Sequence, residues 1–182
     1  MNALKLSSSL TSFALAGLLA ALLEGYPKFR FLGDKGSLLF LGAIFGVALA
    51  ICLWIFFELR SIWKTLAFVA ACAVAYFSSF FAAELAADAF GLTMGIFFVG
   101  GFAGAFIILA PALFLFCPEV KIRWVFIKAA CWSLVGGLLG ILGAIAGTFW
   151  FTLLWQSGMA SVLGLVLGIQ QRHNSTVPRE RS

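Results

Sequence analysis

Two acids, Glu84 and Asp88, stand four residues apart at the end of an apolar run. On a helix that spacing puts both carboxylates on one face. Glu24 ends an earlier apolar run at what should be the same boundary. Together the three form a candidate outer acidic site, able to attract a cation or accept a proton. The plainer alternative is that acids at the end of a membrane span are simply hydrated at the interface. Lys128 is the base nearest to immersion, about one turn beyond Trp124. Its long stem can meet an anionic ligand or lipid phosphate, or can snorkel to the membrane surface.

Other chemistries lack their parts. The 4 cysteines, Cys52, Cys72, Cys117 and Cys131, are far apart with no CxxC pair, and His173 is the single histidine. That pattern offers neither a thiol relay nor a metal site, and no cofactor is expected. Ser78, Ser79 and Ser133 fall in apolar runs with no base evident beside them, so a serine nucleophile is not indicated. An intramembrane acid protease needs acids on separate helices, whereas Glu84 and Asp88 share one. No catalytic residue is assigned, and an enzyme is the less expected class.

Positioning these groups falls to segments built for lipid. Of 182 residues, 63% are hydrophobic and 10% are charged, whereas a soluble domain carries about 25% charge. At about 20 residues per span the chain has room for roughly six membrane helices and no soluble domain. The expected fold is therefore an all-α integral membrane protein, a bundle of about six transmembrane helices. Residues 1–169 make a single transmembrane domain, and 170–182 a polar cytoplasmic tail.

The first span covers Leu10 to Leu23, and a polar loop with Pro27, Lys28 and Arg30 follows. Spans two, three and four run from about Ser37 to Phe57, Trp63 to Ala83 and Gly91 to Phe116, with Pro111 set to kink the fourth. From Trp124 to Ile169 the only charge is Lys128. As one helix that stretch would be roughly 69 Å long, more than twice a hydrocarbon core, so it must turn back. The turn is placed near Gly143 to Thr148. A turn at Gln156, Ser157 and Gly158 is the competitor, but it leaves too few residues for a last span.

Two hairpins look like approximate copies. Phe40, Gly42 and Gly46, then Glu58, Arg60 and Trp63, then Ala71 and Cys72 match Phe98, Gly100 and Gly104, then Glu119, Lys121 and Trp124, then Ala130 and Cys131. The offsets are about 58, 61 and 59 residues, so a tandem repeat would need gaps. Gly42, Gly46, Gly100, Gly104, Gly136, Gly140, Gly164 and Gly168 form rows of the GxxxG kind, which let helix backbones approach closely.

Six spans with an inside N-terminus put nine bases, among them Arg60, Lys64, Lys121, Arg123 and Lys128, on the cytoplasmic side. Only Lys28, Arg30 and Lys35 fall outside. Both termini are then cytoplasmic, and the expected location is a bacterial inner membrane. The net charge of +5 fits anionic lipid headgroups, and no nucleic acid partner is expected because no basic helix stands outside the apolar spans. The partners are the lipid bilayer and, in addition, other membrane subunits or copies of this chain. Two functions compete. One is a transport-type protein binding an uncharged or amphiphilic small solute between its helices. The alternative is a non-catalytic subunit of a larger complex, docking through small-residue helix faces.

Overall fold

In a bilayer no water can take up an unpaired backbone N–H or C=O, so a spanning chain must satisfy each within its own helix or a closed barrel. The computed structural model, which describes residues 3–24, 33–57, 61–90, 94–146 and 148–176, is helical in all these segments. The described residues form α1 (Ala3–Glu24), α2 (Gly33–Phe57), α3 (Ile62–Phe90), α4 (Gly95–Phe116), α5 (Ile122–Ala146) and α6 (Thr148–Thr176). The protein is an all-α membrane bundle. The loop with Pro27, Lys28 and Arg30, the turn residues Glu58 and Arg60, and the tail beyond residue 176 lie outside the described residues.

Five helices, α2 to α6, hold segments long and apolar enough to cross a membrane. The apolar part of α1, Ser7–Leu23, is shorter, at the lower limit of about 17 residues for a span. The expected sixth crossing therefore rests on a helix of 22 residues with less apolar length than its neighbours. Length decides the α5–α6 turn as the sequence implied, with α5 ending at Ala146 and α6 starting at Thr148. Gln156, Ser157 and Gly158 sit inside α6 instead of forming a turn. At the other end α6 continues through Thr176, so the boundary set at residue 169 falls within a helix. Pro111 also lies within α4.

Each helix packs on its neighbours in sequence, α6 returns to pack on α1, and α4 meets α6 across the ring. Neighbours around the ring pair antiparallel, and α4 and α6, two steps apart, run parallel where they meet. Gly17 of α1 faces Gln156 of α6 while Phe13, one turn earlier, faces Gly164 two turns later. Six antiparallel steps bring the start of α1 and the end of α6 to one end of the bundle. Lys64, Lys121, Arg123 and Lys128 share that basic end, and Glu84, Asp88 and Met94 lie toward the other, acidic end.

Close backbone contact holds the ring together. A Cβ on Gly42 would stand 2.7 Å from the Cys72 carbonyl oxygen, and one on Gly101 would stand 2.5 Å from that of Gly136. Lipid tails are as apolar as leucine, so burial gives membrane helices little reason to associate. Packing and weak Cα–H···O contacts replace it. Several hydroxyls are satisfied locally. Ser133 donates to the Ala129 carbonyl at 2.6 Å, Ser157 to that of Leu153 at 2.5 Å and Ser161 to that of Ser157 at 2.8 Å, the back-bonding by which a hydroxyl tolerates an apolar helix. At the basic end Trp54 donates to Thr65 at 2.8 Å and Lys128 to Gln170 at 2.7 Å. Lys128, half-buried, thus reaches across to a buried amide on α6.

Candidate functional site

The described helices leave a half-enclosed cavity of about 380 Å³ at the acidic end. Its walls come from α3 (Tyr76, Ser79, Phe80, Ala83), α4 (Ile96, Phe97, Gly100, Gly101) and α6 (Thr152, Trp155, Gln156), with Leu38 of α2 beside them. Glu84 and Ala87 line the part toward the end of α3. Glu84 is exposed while Tyr76 and Trp155 are buried, so the space runs inward from a carboxylate to an aromatic floor.

Two rings make that floor, and a third packs behind them. Tyr76 and Trp155 meet edge to face, with centroids 5.8 Å apart and planes at 83°. Phe45 packs at 5.9 Å from Tyr76 and 6.5 Å from Trp155. Such pairs contribute about 0.5–1.5 kcal/mol each beyond the area they bury, which fixes the floor in one arrangement. The missing side chains of α4 make room for it. A Cβ on Gly104 would lie 2.9 Å from Cζ2 of Trp155, and one on Gly101 would lie 3.3 Å from its Nε1. Gly101 and Gly104 therefore form a slot for the indole as well as a helix contact.

The cavity absorbs part of the acidic site suggested by the sequence. Glu84 lines it, whereas Asp88, one turn further along α3, is exposed and is not among its walls. Glu24 closes α1 at the same end of the bundle, and its side chain lies outside the described residues. In the ring α1 packs on α2 and α6, whereas α3 packs on α2 and α4, so the two acidic helix ends belong to different neighbourhoods. Among the described residues no group of three metal-ligating side chains occurs.

The eight glycines singled out by spacing all have described positions. Gly42 and Gly46 face α3, Gly100 faces α3, and Gly104 faces α3 and Trp155 of α6. Gly136 and Gly140 meet α4, at Ala105 and the Phe97 carbonyl, and Gly164 meets Phe13 of α1. Gly168 is buried. The two hairpins that look alike in sequence use their glycines differently. In the first, Gly42 and Gly46 seat the return helix α3; in the second it is Gly101, outside the aligned pair, that meets the return helix α5.

Trp155 and Tyr76 were not among the residues picked out by motif. A signal existed, because Trp prefers the membrane interface and Trp155 stands about 10 Å inside α6, counted from Thr148 at about 1.5 Å per residue. Gln156 beside it is a buried polar side chain in an apolar span, a second mark of an interior site.

At the basic end Cys117, just past α4, is 4% exposed. Burial, with the nearby Glu119 carboxylate, pushes its thiol up to about 12, although Lys128 and Lys64 pull the other way. Only the thiolate is a nucleophile. We expect Cys117 to resist maleimide at pH 8 in the folded protein and to react readily once it is unfolded in SDS. Equal rates in both states would contradict the burial.

Comparison with family models, curated proteins and solved structures finds no match for this chain.

Proposed function

We propose that the protein is a small transport-type component of a bacterial inner membrane that binds an uncharged or amphiphilic solute between its helices, in the cavity formed by α3, α4 and α6. The cavity carries this reading. A volume of about 380 Å³ falls within the roughly 300–1,000 Å³ usual for small-molecule pockets. Its walls are almost wholly apolar and aromatic, and its one carboxylate, Glu84, is exposed toward the acidic end. A solute with an apolar body fits that lining. Among the described residues no base or acid lies in the floor beside Tyr76 and Trp155, which argues against an ion-coupled pump working through this cavity, since such pumps place titratable groups at membrane depth.

The subunit alternative draws less support. Its docking surfaces were to be small-residue faces, yet each of the eight glycines is turned toward a neighbouring helix or buried. Large side chains such as Leu138, Leu142 and Ile145 occupy the outer face of α5.

Filling the cavity tests the reading. Ala87 is partly exposed and lines the opening, so Ala87→Phe should occupy the space with little strain on the helix contacts. Organic extracts of the wild type and of Ala87→Phe, purified in mild detergent, should differ by a solute present at close to one per chain in the wild type and depleted at least about fivefold in the variant. Vesicles holding the wild type should then take that solute up faster than vesicles holding the variant. Identical extracts and identical uptake would refute the proposal.

A further inference from the structure

The indole N–H of Trp155 has no hydrogen-bond partner among the described residues, on a side chain that is only 5% exposed. Native interiors pair nearly all such groups, and an exception calls for a reason. Here the indole borders the cavity. Trp155 and Gly101 share a wall of the cavity, and Nε1 lies 3.3 Å from where a Cβ of Gly101 would stand, so the N–H sits just behind that wall, itself covered and within reach of a solute that shifts the ring slightly.

We infer that the Trp155 N–H receives an acceptor atom of the bound solute, and that this solute is a neutral molecule carrying a carbonyl- or ether-type oxygen on an apolar body. The inference rests on the cavity being the binding site, as proposed above. Its chemistry follows from what an indole can do. Trp offers a donor and no acceptor, so an ammonium group cannot satisfy it and a hydrocarbon leaves it bare.

Charge narrows the acceptor further. A carboxylate or phosphate would satisfy the N–H but would have to pass the Glu84 carboxylate, and the lining contains no base to compensate it. Burying an unpaired anion in an apolar space is far more costly than burying a ketone. The oxygen leads inward to the floor, and the apolar body lies against Phe80 and Phe97.

Three probes of one shape separate the possibilities: benzophenone, which has the oxygen; diphenylmethane, which lacks it; and 4-benzoylbenzoate, which adds an anion. Saturation binding of tritiated benzophenone to the protein in lipid nanodiscs, with the other two as competitors, gives the readout. Benzophenone should bind saturably, diphenylmethane should compete about tenfold less well, and 4-benzoylbenzoate should not compete until Glu84→Gln removes the charge at the opening. In Trp155→Phe, which keeps a ring and loses the N–H, benzophenone should weaken to the level of diphenylmethane while thermal stability stays close to wild type.

If the two neutral probes compete equally in the wild type, and Ala87→Phe abolishes both, the cavity binds solute but the role given to Trp155 is wrong. Benzophenone binding that Ala87→Phe leaves unchanged, or no saturable binding at all, would overturn the cavity reading and this inference with it.

Discussion

Gly140→Leu should unfold the contact between α4 and α5, lowering stability by about 3 kcal/mol or more. A Cβ added at Gly140 would overlap the Phe97 carbonyl, and one at Gly136 would overlap the Ala105 methyl. The obstacle at Gly140 is backbone, which cannot swing aside as a flexible side chain can. The helices must separate, and separation breaks the neighbouring contact of Gly101 with the Gly136 carbonyl as well. Leu138 on the same helix is 55% exposed, and Leu138→Ala there should cost less than about 0.5 kcal/mol, because lipid replaces what the side chain touched. Thermal unfolding in detergent, followed by loss of a monodisperse peak, would show the contrast. Equal effects of the two changes would mean that α4 and α5 do not meet backbone to backbone.

That contrast also shows how far the bundle was legible in the chain. Length and apolarity alone implied the turn within the Trp124–Ile169 stretch, because no single helix of that size fits a bilayer. The observed break between Ala146 and Thr148 falls there. Glycine spacing marked close contacts without saying which helix each one meets. Gly100 and Gly101 are adjacent, yet they face α3 and α5 respectively, since α4 is flanked on both sides and carries small residues around more than one face. Glu84 was legible as a boundary acid, but its place beside a cavity was not. Tyr76, Gly101 and Trp155 are spread over three helices, and their meeting depends on ring closure, which brings α4 against α6. No local pattern encodes that. Trp155 about two turns inside α6 and the buried polar Gln156 beside it were the residue-level clues.

A cysteine at position 61 and one at position 94 should label from opposite sides of the membrane. Ser61 precedes α3 at the basic end, Met94 precedes α4 at the acidic end, and both are exposed. Lys64, Lys121, Arg123 and Lys128 cluster at the first end, while Glu84 and Asp88 lie toward the second. Retention of Lys and Arg in the cytoplasm during insertion then orients the whole bundle. In a background with Cys131 replaced by Ser, and with Cys117 shielded by burial, an impermeant maleimide applied to right-side-out vesicles should modify Met94→Cys at least about tenfold faster than Ser61→Cys. Inverted vesicles should reverse the order. Because antiparallel packing ties the two positions to opposite ends, equal labelling from one side would refute the ring itself. A clean exchange of the two sides would leave the ring standing and place the cavity on the cytoplasmic face, so that the solute would be captured from within the cell.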